Sequence, residues 1–203
     1  MHSIVEILEE ATDSAGPDLI SLDDLKLALG IADTAEDAAL QAMITFQSRL
    51  IAEYCDRRFG RAEVLETFTF DPGECLPVRQ PLALRLYPVA IVHELSTAAD
   101  YELDPPTGRL WLPNGGAWQG PVTVTYAGGY DLPEEAPARL QRAVIEAVNE
   151  SRTSGSRDPN VREVQHGDTR IAYFTSPLAT GSSGYLSAPV IDLIRPFRRL
   201  SAA

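Results

Sequence analysis

The chain has 203 residues, 44% of them hydrophobic, which is enough for one sizeable core or a core with an appendage. Its formal net charge of −12, from 17 basic and 29 acidic residues, argues against a protein that grips nucleic acid by neutralising phosphates. An acidic surface remains compatible with DNA sliding past it. The apolar runs fall far short of the roughly 20 residues that span a bilayer, and no charged-then-apolar leader opens the chain. The expectation is a soluble protein, cytoplasmic when made, with no membrane partner. Cys55 and Cys75 lack the CxxC spacing of a zinc or redox site and read as free thiols in a reducing compartment.

In chain order, Ile4, Ile7 and Leu8 fall at helical spacing and Gly16-Pro17 stops the segment, which reads as a short helix or a loose arm. Ser21 then stands where an N-cap belongs, Asp24 sits at the third helical position, and Gly30 permits a left-handed stop; the spacing predicts a helix over 21–29. The same grammar repeats over 34–59, where Thr34 caps and Glu36 and Asp37 occupy the positive first turn. Leu40, Met43, Ile44, Gln47, Leu50, Ile51 and Tyr54 line one face of that helix. Arg57 and Arg58 complement its dipole, an explanation that outweighs phosphate binding.

From about 64 to 127 the period shifts toward alternation, in short runs broken by proline and glycine. Candidate strands are 64–70, 82–86, 90–95, 108–112 and 122–126. Their connections are too short for crossover helices, so the sheet is expected to be antiparallel. Asp104 to Gly108 and Asn114 to Gly116 read as turns. Pro133 and Pro137 lead into a helix over 136–151 with Leu140, Val144, Ile145 and Val148 inward. Residues 161–164 and 169–174 suit a hairpin around His166-Gly167-Asp168. A Ser/Gly-rich stretch, 176–184, reads as a flexible linker ahead of a short helix over 188–200.

Motifs for chemistry are missing from the sequence. His2, His93 and His166 lie far apart, and none stands in an HxxxH or HxxE pattern that would put two ligands on one helical face. There is no GxSxG elbow, no GxxxxGK[ST] loop and no dinucleotide fingerprint. Paired carboxylates carry little information in so acidic a chain, and solvated faces are their default. Trp111, Trp118, Tyr126 and Tyr130 read as core or subunit-interface packing rather than platforms for nucleobases. No catalytic residue, metal ligand or cofactor-binding residue is assigned.

The order of these elements resembles the head-tail connector, or adaptor, family of siphophages and gene transfer agents. The features that carry the likeness are Leu19 to Lys26, the helix end Ile51 to Phe59, Tyr101 to Leu110, Val122 to Tyr130, and the helix after Leu132-Pro133. It covers 19–151 well and the tail to Arg199 more loosely. The resemblance implies a structural protein and not an enzyme, with no cofactor, in a ring of twelve beneath the portal. The ring would connect capsid to tail around a DNA channel, in the neck of a virion or phage-like particle. Implied partners are the portal protein, neighbouring adaptor subunits, and stopper or tail proteins, with DNA passing unbound. A stopper or tail terminator, or a small metal-dependent hydrolase, are the alternatives.

The fold class expected is α+β: a helical core with an inserted antiparallel β-rich segment and a flexible C-terminal arm. A single domain over 1–175 would be followed by a linker and docking segment over 176–203. In that segment Phe197 reads as an apolar anchor, with Arg195, Arg198 and Arg199 as charge contacts and Leu200 beside them, for a portal-binding arm that orders on its partner. A surface helix whose arginines balance its own dipole is the competing reading.

Overall fold

Along Ala62–Thr69 and again along Val122–Gly128 buried side chains alternate with half-buried ones, and a computed structural model shows these two runs paired as antiparallel sheet. The structure describes residues 2–10, 18–70, 80–96, 100–113, 116–155, 163–166, 169–172 and 186–199. The fold is α+β, in two units. One comprises Met1–Pro17, Cys55–Glu135 and Phe197–Ala203, the other Asp18–Tyr54 and Ala136–Pro196.

The first unit holds a four-stranded sheet of order β1-β2-β7-β4, from β1 (His2–Glu10), β2 (Ala62–Thr69), β4 (Val89–Leu95) and β7 (Val122–Gly128), antiparallel throughout. A second sheet, β3-β6-β5, is made from β3 (Leu82–Ala83), β5 (Glu102–Asp104) and β6 (Arg109–Trp111). The core they share includes Val64, Phe68, Leu84, Leu110, Trp118 and Val124. The fully buried Trp118 satisfies its indole by donating Nε1–H to Gln80 O at 3.1 Å. Gly108, at φ 63°, closes the expected Asp104 to Gly108 turn, and its N–H donates back to Asp104 O at 2.9 Å.

The N-terminal segment is a correction: it is neither helix nor loose arm but the nine-residue strand β1. Its Ile4, Ile7 and Leu8 spacing imitates a helix, yet β2 offers an open ladder edge from Ala62 to Thr69 and Val5 packs against the core. Tertiary pairing overrides the local period.

The second unit is helical: α1 (Leu22–Leu29), α2 (Asp37–Cys55), α3 (Ala138–Gly155) and α4 (Ala188–Ile194), with the hairpin β8 (Glu163–His166) and β9 (Thr169–Ala172). Ser21 caps α1 as expected, its Oγ accepting from Asp24 N–H at 3.1 Å, and Gly30 ends the helix at φ 69°. Helix α2 stops at Cys55, four residues before the sequence-based end, because Asp56 turns left-handed at φ 48°. Of the faces expected inward, Leu40, Ile44, Gln47 and Ile51 on α2 and Leu140, Val144 and Val148 on α3 are buried, while Met43, Leu50, Tyr54 and Ile145 are half-buried. Helix α4 is shorter than expected and gives way to a 3-10 turn, Arg195–Phe197. Residues 176–184, read as a linker, and Cys75 lie outside the described residues.

Candidate partner-docking segment and its anchor

The sequence singles out a short C-terminal run, and the structure gives its residues different tasks. Arg195 is exposed and pairs with Asp192 one turn earlier at 3.2 Å. Pro196 removes an amide donor and the α-helix does not continue past it. Phe197, in the first unit, meets Phe59 and Tyr87 edge-to-face at centroid distances of 6.2 and 6.0 Å. Tyr87 in turn meets Tyr130 and Phe59, so four aromatic rings form a connected group. Burial, followed by the neighbouring Tyr87 charge and hydrogen bond, pushes the Tyr130 phenol up to about 12. Arg198 is exposed. Leu200 lies outside the described residues.

Arg199 is the residue the structure places most differently from a surface cation. Its side chain is 3% exposed and faces Glu66, which is 0% exposed, with Nη1 to Oε1 at 3.0 Å. Nη2 donates to Ser3 Oγ on β1 at 3.0 Å. Nε lies 3.3 Å from Asp56 Oδ2, at ion-pair distance but outside hydrogen-bond geometry. The Arg199 backbone N–H donates to Cys55 O at 2.8 Å.

Glu66 is the other half of this centre, and sequence reasoning passed over it. It points inward because it shares a strand face with Val64 and Phe68. A carboxylate at an inward position of an alternating strand was the available signal. Burying such a charge requires partners, and Glu66 has three: Arg199, the Tyr126 hydroxyl donating at 2.6 Å, and the Arg85 backbone N–H donating at 2.9 Å. The Tyr126 oxygen also accepts from Arg85 N–H and Leu86 N–H, both at 3.1 Å. Burial first, and then the adjacent Glu66 charge, hold the Tyr126 phenol well above its usual range.

Arg57 reinforces the same region. It donates to Leu84 O and, at 2.9 Å, to Thr107 O, while its guanidinium carbon lies 5.1 Å from the Tyr87 ring centroid. Desolvation by burial and the neighbouring Arg199 charge lower its pKa from the ordinary arginine value. Both C-terminal dipole balance and phosphate binding are therefore incomplete accounts of Arg57: it braces a turn and a strand end.

The described histidine side chain, His93 on β4, is exposed and stands 3.7 Å from Glu63. No group of three or more His, Cys, Asp or Glu side chains is arranged to hold a metal ion among the described residues. No helix among the described residues is long and apolar enough to cross a membrane. Arg199 Nη1, the Tyr126 hydroxyl and the Arg85 amide all donate to the buried Glu66 carboxylate, a geometry that holds a fold together.

Residues 19–99 match the family model of phage gp6-like head-tail connector proteins. No curated protein sequence matches the chain. Among solved structures, a chain in the neck of an empty GTA particle computed with C6 symmetry is 16% identical, with a TM-score of 0.54, and the match covers 98% of this chain and 97% of that one. A chain in the virion of a native gene transfer agent particle is 17% identical, with a TM-score of 0.53 and the same coverage. A chain in the neck of the native GTA particle computed with C12 symmetry is 16% identical at a TM-score of 0.51, again covering 98% and 97%. These likenesses establish a shared fold along nearly the whole chain.

Proposed function

We propose that this chain, whose residues 19–99 match the family model of phage gp6-like head-tail connector proteins, is a structural neck protein, the adaptor between the portal and tail of a tailed-phage-like particle or gene transfer agent. The observation that carries this reading is the coincidence of the family match with a fold shared over 98% of the chain with chains of GTA particles. The protein acts by shape and attachment rather than by catalysis. Copies form a ring under the portal, twelve in number, around the DNA, and the particle neck is the site of action after synthesis in the cytoplasm. A twelve-fold ring needs a heterologous interface, in which two different faces of the subunit meet around the axis.

The net charge of −12 suits a channel protein that repels DNA from all sides and lets it pass. In the C-terminal segment, the exposed Arg195 and Arg198 are the charges presented to the portal, while Phe197 and Arg199 hold the segment in place from within.

Purified chain mixed with portal rings tests the whole reading by co-sedimentation and electron microscopy. Stoichiometric capture and a ring of added density on one face of the portal are expected. Absence of capture at micromolar concentrations of both would overturn the adaptor assignment. Arg195→Glu together with Arg198→Glu tests the docking segment and is expected to weaken capture at least tenfold with circular dichroism unchanged. Capture at the parental level would remove this segment from the portal interface.

A further inference from the structure

Strand β1 is weakly held by its own side chains. It lies at the edge of the four-stranded sheet, paired on one side with β2 and on the other with no strand among the described residues. Of its apolar residues, Ile4 is 64% exposed, Ile7 40% and Leu8 46%, and only Val5 packs against the core. A register shift between Ile7 and Glu9 interrupts the ladder with β2. An edge strand with so little burial belongs to the part of a structure that opens at low free-energy cost.

One contact sets β1 apart from an ordinary frayed edge. Ser3, opposite Phe68 in the ladder, accepts the Nη2 hydrogen bond of Arg199, and the same guanidinium is fixed by the buried Glu66 carboxylate of β2. The backbone of Arg199 is tied to Cys55 O, and Phe197 seats among Phe59 and Tyr87 two residues earlier. The planar guanidinium presents its two amino groups to two strands at once, which a lysine ammonium would do poorly.

We infer that Arg199 is a latch: the seated C-terminal segment holds the N-terminal edge strand in register, and drawing that segment away frees β1. The two ends of the chain form one conformational switch, and a partner that engages residues 197–199 alters the order of an open sheet edge. This inference stands on intrachain geometry and is independent of the portal reading.

Hydrogen exchange measured by mass spectrometry on the full chain tests it, with the 2–10 peptide as reporter and the 122–128 peptide of the central strand β7 as control. Arg199→Ala is expected to speed exchange of the β1 amides at least tenfold more than that of the β7 amides, which lose only the stability common to the whole fold. Exchange in β1 at the parental rate overturns the latch, and so does equal acceleration of β1 and β7, which would make Arg199 a general core residue. If Arg199→Ala fails to fold, Ser3→Ala removes the β1 contact and leaves the Arg199–Glu66 pair intact. A severalfold acceleration confined to β1 is then expected, and parental exchange in this variant likewise overturns the proposal.

Discussion

Arg199 and Glu66 stand 133 positions apart in the chain and 3.0 Å apart in space, with side chains 3% and 0% exposed. Removing one member of such a pair strands the other charge without solvent. Glu66→Ala is therefore expected to cost about 3–5 kcal/mol. The double variant Glu66→Met with Arg199→Met, which replaces both charges with apolar bulk, is expected to cost less than either single loss. Urea titrations of Glu66→Ala, Arg199→Ala and the double variant, followed by circular dichroism, check the order, and equal losses in all three would contradict it.

Tyr126 is a hub that donates one hydrogen bond and accepts two. Its hydroxyl donates to Glu66 and its oxygen accepts from two backbone amides at Arg85 and Leu86. Tyr126→Phe keeps the ring and leaves these groups short of a partner, at an expected cost of about 1–3 kcal/mol. Thermal unfolding of the variant beside Glu66→Gln would show non-additive losses, because the two residues share one network.

Burial pushes the Cys55 thiol up from 9.0 to about 12, against smaller opposing effects of Arg57 and Arg198. Below pH 9.0 the thiol is protonated folded and unfolded alike, so its full stabilising contribution is present there. As pH rises from 9.0 toward 12, the unfolded chain ionises first and stability falls. Iodoacetamide at pH 8, with peptide mapping, is expected to leave Cys55 unmodified in the folded protein and to label it in denaturant. Rapid labelling under native conditions would show the thiol to be accessible.

Two glycines with positive φ separate strain from collision. A Cβ at Gly30, φ 69°, meets nothing within 4 Å, so Gly30→Ala is expected to cost about 1 kcal/mol, from backbone strain alone. At Gly129, φ 88°, the same atom would lie 2.4 Å from the Gly60 carbonyl oxygen. Gly129→Ala must displace backbone as well and is expected to destabilise several-fold more. Denaturant midpoints for the two variants give the comparison.

The helices were legible because each carries its own punctuation. Ser21 and Gly30 delimit α1 by local chemistry, and the apolar faces of α2 and α3 repeat for long enough to fix their direction. The strands from β2 to β7 were legible from alternation, although β5 and the brevity of β3 were not. What escaped depends on partners distant in the chain. Nothing local tells Ile4, Ile7 and Leu8 that they face a ladder edge sixty residues on. Nothing near Arg199 reveals that its counter-charge is Glu66, so a buried ion partner resembled a surface cation. The sequence did carry half of that message in the inward place of Glu66 between Val64 and Phe68.

Because Nη2 of Arg199 reaches Ser3 Oγ at 3.0 Å, residues 3 and 199 can be spliced through a short polar linker. Circular permutation is thereby open to this chain, with new termini cut into the exposed Pro105-Pro106 turn.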